Sequence, residues 1–398
     1  MIKKRWVALL SIVALAALVA PGSAQPAGPI KIAFLASLSG PFTIWGVQVR
    51  DGMKMAIAEV NEKGGVLGRT LELIERDDKN SPSEGITAFK YLVERESVVA
   101  AGGMISSDVG LAVSREAETA RVPYFLTMSG SHAILKKSSR FTFRTCLPAA
   151  PENMQPIAAL IQARKYTRVG AIVADYAWGH AIRESIEASI KPIPGVRVQV
   201  EIAPVPERDF TPYLRKLTGL DPELIIATGH PPGNPTIARQ SIEMGMKALV
   251  IGSWYPTEFM VERVGELMFG RFVDFSCADF ESPAYQRLAE RFNGTYKRLF
   301  DHNAFSGYVM VKMVADAIQK TRSTDPKIIA DAIRTGKFVQ EGYAWPVSYT
   351  EWGEMKDAEP ILYTYEKGTP PGKVNPGATW RPKVIFRSPP IQPYVPAD

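Results

Sequence analysis

The sequence predicts an α/β protein of two similarly built units, each a mainly parallel sheet covered by helices on both faces. Three observations predict it. Apolar β-branched runs alternate with amphipathic stretches without long gaps, the alternation halts at "FRTCLPAAPENM" and starts again, and three early strand ends finish in small hydroxyl residues. Parallel strands need long crossover connections, so such an alternation implies a sheet buried on both sides.

The first unit opens with the strand "PIKIAFLASLSG". "TIWGVQVRDGMKMAIAEVNEKGG" follows as a helix, with Met53, Ile57 and Val60 at helical spacing and Gly64-Gly65 as its stop. "LELIERDD" is the next strand, and Ser81-Pro82 starts the helix "SPSEGITAFKYLVERE". "VVAAGGMI" is a strand, "VGLAVSREAETAR" a helix and "PYFLTM" a strand. After the break come "LIQARKY", "RVGAIVADYAWG", the helix "HAIRESIEASIK" and the strand "RVQVEIAPV". "TPYLRKL", "LIIATGH", "PTIARQSIEMG" and "LVIGSW" continue the pattern, and "SPAYQRLAERFNGTYKRLF" and "AFSGYVMVKMVADAIQKT" read as helices. The proline-rich tail from Thr369 to Asp398 is expected to be extended.

The first residues read as a secretory signal. Lys3, Lys4 and Arg5 precede an apolar run from Trp6 to Ala20, and small residues before Gln25 suggest cleavage after Ala24. The run is shorter than the roughly 20 residues of a membrane span, so residues 1–24 are expected to be removed from an exported, soluble protein. Loss of those three cations leaves 44 basic against 41 acidic residues, a balance of +3 that gives nucleic-acid binding no support.

Cys146 and Cys277 are the only cysteines. Under oxidising conditions they either pair or stay as two buried thiols. The four histidines, His132, His180, His230 and His302, have no metal-type spacing, so neither metal nor cofactor is expected. No G-x-G-x-x-G follows the first strand, and neither a phosphate-binding loop nor a G-x-S-x-G elbow is present.

Ligands of open α/β sheets bind beyond the carboxyl ends of the strands. There the sequence places Ser37 and Ser39, Ser106 and Ser107, and Thr127 to Ser131. A helix N-terminus with hydroxyls on it can seat a small anion, or the serine can simply cap the helix.

The ordered set "KIAFLASLSGPFTIWGVQVRDGMKMAIAEVNEKGGVLGRTLELIERDD", "MISS", "YFLTMSGS", "VADYAWG", "DFTPYLRKL" and "GSWYPTEF" resembles the type I periplasmic solute-binding proteins of ABC importers, in the Leu/Ile/Val-binding branch. The resemblance implies two Rossmann-like lobes joined by a hinge of three chain crossings. It allots residues 28–145 and 278–345 to the N-terminal lobe, and 146–277 with 346–398 to the C-terminal lobe. Cys146 and Cys277 would then sit at adjacent crossings as a hinge disulfide. The first-lobe bridge of close amino-acid binders cannot form, since Asn80 and Ile105 stand where its cysteines would match.

For the site, the resemblance implies that Ser106, with Ser107 beside it, holds a ligand carboxylate. Ser129, Gly130 and Ser131 would hold the rest of the head group, and Trp45, Trp178 and His230 would line the cleft. One departure stands out: amino-acid binders place an acid where this chain has Trp254, and a buried ammonium without an anionic partner is costly. The expected ligand is therefore a flat apolar carboxylate such as a benzoate or hydroxycinnamate derivative, delivered from the periplasm to an ABC permease. The alternatives are an aliphatic or branched-chain amino acid with Glu258 or Asp175 as substitute acid, an amide or urea, an exported α/β enzyme using the cleft, and a sensory domain acting through a partner.

Overall fold

The computed structural model describes residues 28–228, 233–368 and 378–397. The first sheet has the order β2-β1-β3-β4-β5, all parallel, from Ile30–Ala36 (β1), Leu71–Asp77 (β2), Ala100–Met104 (β3), Tyr124–Leu126 (β4) and Thr142–Arg144 (β5). Helices Thr43–Glu62 (α1), Pro82–Glu94 (α2) and Ser107–Ala120 (α3) make its crossovers. β3 and β4 are buried at every position, as a sheet covered on both faces requires. Ser81 caps α2 with Pro82 as its first residue, so the start read from the sequence is the one used.

The second sheet has the order β14-β13-β10-β9-β8-β6-β7. Helix Ala150–Arg164 (α4) leads into Arg168–Ala174 (β6), Ala177–Ser189 (α5), Arg197–Ala203 (β7), Thr211–Thr218 (α6) and Leu224–Thr228 (β8). Gly233–Glu243 (α7), Leu249–Ile251 (β9), Thr257–Val264 (α8) and Phe272–Ser276 (β10) complete the parallel part.

Next come helices Pro283–Tyr296 (α9), His302–Thr321 (α10) and Pro326–Thr335 (α11) and a short antiparallel pair, Lys337–Phe338 (β11) with Val347–Ser348 (β12). Helix α10 packs on α1 so closely that the two backbones touch: a Cβ on Gly52 would strike the Ala304 carbonyl, and one on Gly307 the Val49 carbonyl. Across the same seam Glu59 accepts a 2.6 Å bond from Tyr308 and a 3.0 Å bond from Lys312.

Two details differ from the sequence reading. Residues after 346 do not go directly to the second sheet: the Arg144 N–H donates to the Gly353 carbonyl at 3.2 Å, and Arg144 pairs with Glu354, so this segment lies against β5. Of the tail from Thr369 to Asp398, residues 369–377 lie outside the described residues, and the described part is not merely extended. Ile361–Lys367 (β13) and Trp380–Arg387 (β14) form an antiparallel ribbon that pairs with β10. Pro382 and the alternation of exposed and half-buried residues in β14 suit an outer strand. The leader read in residues 1–24 lies outside the described residues.

Chain order reverses between β1 and β3 in one sheet and between β6 and β8 in the other. Those two switch points are where ligands of such sheets bind. Cys146 and Cys277, joined in a disulfide with Cα atoms 5.4 Å apart, tie together the segments that follow β5 and β10.

Candidate ligand-binding site

Beyond β3, Ser106 stands at the cap position of α3 in an extended conformation, and its carbonyl accepts the first helical bond, from Gly110. Its side chain makes no capping bond. The first N–H groups of α3 have no intrahelical partner, so the helix start presents donors. The loop after β4 comes alongside. The Ser131 N–H donates to the Ser107 hydroxyl at 3.2 Å, and the Ser129 hydroxyl lies 3.4 Å from the Ser106 carbonyl. All four serines are buried. The structure thus brings Ser106, Ser107, Ser129, Gly130 and Ser131 into one cluster.

A buried arginine holds this loop from behind. Arg144, at the end of β5, donates to the carbonyls of Ser129 and Ser131, the latter at 2.8 Å, and its Nε lies 2.7 and 2.8 Å from the two Glu354 oxygens. With both carbonyls drawn toward Arg144, the loop's orientation is fixed. Burial pushes Glu152, close by, well above the usual carboxylate range, and the charge of Glu354 adds to the rise.

Trp45 in α1, Trp178 in the first turn of α5 and Trp254 after β9 line one cavity with Phe42, Tyr176 and Ser253. Ile105, Met128 and Leu147 complete its described wall, which encloses about 30 Å³ and carries no acidic residue. Every indole N–H is already engaged: Trp45 donates to the Trp254 carbonyl at 3.1 Å, Trp178 to the Ser253 hydroxyl at 3.0 Å and Trp254 to Asn153 at 2.8 Å. These bonds fix the ring orientations and leave the rings to offer faces and edges rather than donors.

The two halves of the molecule meet here. The Trp178 ring rests on Gly130, Gln48 donates to Glu258 at 3.2 Å, and the Ala177 N–H at the start of α5 lies 3.4 Å from Asp108 in the first turn of α3. The two helix starts face each other across the cleft, with the Asp108 carboxylate at the outer edge of the donor field.

Neither substitute acid reaches the aromatic cavity. Glu258 lines a separate cavity of about 250 Å³ with Lys297 and Arg298, and burial first, then Asp301 and Glu262, pushes its carboxyl up. Asp175 is exposed and paired with His180 at 2.9 Å. His230 lies outside the described residues.

Sequence reasoning missed Phe42, Tyr176 and Ser253. Tyr176 and Ser253 flank Trp178 and Trp254 within two residues, a neighbourhood that could have pointed to them; Phe42 carried no such signal.

A family model for periplasmic binding proteins matches residues 29–358, and the chain belongs to that family. Members serve as the substrate-binding components of transporters rather than as enzymes, and this chain is such a component. The Leu/Ile/Val-binding protein BraC3 of Rhizobium johnstonii is 25% identical over 348 residues, which is 85% of this chain and 92% of that one. The solved solute-binding protein of an ABC transporter from R. palustris, in complex with benzoate, matches with a TM-score of 0.78 at 16% identity, over 92% of this chain and 98% of its own. LivJ of Streptococcus pneumoniae, solved with isoleucine, matches with a TM-score of 0.74 at 20% identity, over 91% and 99% of the two chains. The structural likenesses establish the type I periplasmic binding protein fold.

Proposed function

We propose that this protein is a periplasmic receptor that captures a small aromatic carboxylate between two lobes and delivers it to a membrane ABC permease. The lobes of the proposal are residues 28–145 with 278–358, and 146–277 with the ribbon of β13 and β14. The observation that carries the ligand class is the acid-free cavity walled by Trp45, Trp178 and Trp254, whose N–H groups are all used within the protein. Such a wall favours an apolar ring and gives an ammonium no counter-ion. The serine cluster at the start of α3 supplies hydroxyls and N–H dipoles for the carboxylate, in the manner of anion seats at helix starts.

Capture follows from geometry. In this closed arrangement the aromatic walls meet one another, so a ring enters only when Trp178 moves off Gly130 with its lobe. A ligand that then touches both walls binds the closed state better than the open one and drives closure. No bond is made or broken.

A second reading, an aliphatic amino acid, is favoured by the Leu/Ile/Val-binding names of the relatives and requires Glu258 or Asp175 to turn into the cleft. Titration calorimetry with benzoate and with L-leucine separates the two. Heat with benzoate alone supports the aromatic reading, and heat with leucine alone replaces it by the second.

A further inference from the structure

Trp254 has a left-handed backbone, with φ at 58°. That conformation is a genuine outlier for a bulky residue and persists only where its surroundings impose it. One side chain among those surroundings holds the backbone N–H groups of the turn. β9 ends at Ile251, and beyond the Gly252 N–H, which still reaches the Val273 carbonyl at 2.7 Å, the chain leaves the sheet. The next exposed pairing groups would be orphaned, and Asp274 of β10 takes them. Its Oδ1 accepts the Trp254 N–H at 2.7 Å and its own neighbour Phe275 at 2.8 Å, while Oδ2 accepts the Tyr255 N–H at 2.9 Å. Gly252 makes room for the turn, since a Cβ there would collide with Phe272 and come within 3.2 Å of the Asp274 carboxylate.

The Trp254 ring that results is held between Phe275, stacked at 5.7 Å, and His302, edge-on at 5.5 Å. Its carbonyl receives the Trp45 N–H. Two of the three indoles in the wall therefore depend on this turn.

We propose that Asp274 is the positioning residue of the aromatic wall: its carboxylate fixes the left-handed turn that aims Trp254, and so determines which ligands the cleft accepts. The proposal rests on the aromatic reading for the ligand but not for the turn itself. Asp274 is not among the residues lining the aromatic cavity and acts through the turn at Trp254 and Tyr255.

The ionised carboxylate suits three N–H donors, whereas a protonated one must turn a donor toward one of them. Burial pushes Asp274 up to about 7 against the pull of those three amides. The titratable groups facing it and its turn are Asp301 and His302 at the start of α10 and Tyr363 and Tyr365 on β13.

The test is a double-mutant cycle read by benzoate calorimetry on the full mature chain, using Asp274→Asn, Trp254→Gly and the pair. Asparagine sets an NH2 against the Tyr255 N–H, and glycine adopts positive φ without strain. Asp274→Asn is expected to weaken benzoate roughly tenfold when Trp254 is present and by clearly less in the Trp254→Gly background, where the seat of Trp45 on the residue-254 carbonyl is all that remains to be disturbed. An equal loss in both backgrounds, or none in either, overturns the proposal. A second readout needs neither ligand nor a folded Asp274 variant. The near-UV dichroism of the wild-type indoles, followed from about pH 5.5 to about 8.5, is expected to show a transition near neutrality that Trp254→Gly abolishes and that His302→Gln, which removes the imidazole edge-on to the Trp254 ring, leaves in place. A flat profile, one unchanged in Trp254→Gly, or one lost in His302→Gln overturns the assignment. Failure of benzoate to bind the wild type would defeat the aromatic reading while this transition still decides the role of Asp274.

Discussion

The six-membered ring of Trp178 lies flush against Gly130, so that a Cβ on Gly130 would stand 2.7 Å from ring atoms Cε3 and Cη2. The contact joins the turn that follows β6 to the loop that follows β4. It is a lobe-to-lobe contact in which the absence of a side chain on one partner is what lets the other approach. Gly130 does not have a positive φ, so its smallness rather than its backbone freedom is what this site uses.

Gly130→Ala is expected to fold normally and to hold the lobes apart. Small-angle scattering of the ligand-free variant should show a larger radius of gyration than wild type, with a melting temperature within a few degrees. An unchanged radius would mean that Trp178 finds another seat and that Gly130 does not gate closure.

Ser106→Ala removes one hydroxyl from the proposed carboxylate seat without breaking a helix cap, since the Ser106 side chain makes no capping bond. Loss of one hydrogen bond to a charged group corresponds to about 1.5–3 kcal/mol. Benzoate affinity is expected to fall by roughly that amount while thermal stability stays put. A stability loss with affinity unchanged would assign Ser106 to capping the helix.

Arg144→Met leaves Glu354 buried and uncompensated and frees the Ser129 and Ser131 carbonyls. Breaking one partner of a buried pair costs about 3–5 kcal/mol, so denaturant unfolding should show a loss of that order. A change below about 1 kcal/mol would contradict the role given to this pair.

Burial would raise Glu59, but hydrogen bonds from Tyr308, Lys63 and Lys312 hold it down at about 2. Because its folded value is depressed, it contributes stability above its ordinary value of 4.5, and that contribution is lost as pH falls toward 2. Glu59→Gln should be less stable than wild type at neutral pH, and the gap should close on acidification through this window. A gap independent of pH would mean that the charge of Glu59 is not what joins α1 to α10.

The alternation of strands and helices was legible because period and burial agree in runs such as "LIIAT", where every residue is inside. The serine cluster was legible too, since Ser106 and Ser129 both fall at strand ends on the same edge of one sheet. The antiparallel ribbon of β13 and β14 was not: β14 is an edge strand whose half-exposed, proline-containing pattern resembles a loop. Nor was the direction of Glu258, which shares a helix turn with Thr257 yet points to the Lys297 side. Asp274 was invisible for a deeper reason. It lies within "FVDFS", a buried strand in which a carboxylate makes sense only once the chain leaving β9 is seen to pass beside it.

The central claim, that an aromatic cavity whose described wall carries no acid selects an aromatic carboxylate, is tested most directly by a thermal-shift screen of the mature protein against aromatic carboxylates and L-amino acids. Selective binding to the native state raises the melting temperature. The account predicts stabilisation by benzoate or hydroxycinnamate-type acids and none by leucine, isoleucine or valine. Stabilisation by the amino acids alone would contradict it and direct the search for an ammonium partner to Glu258 and Asp175.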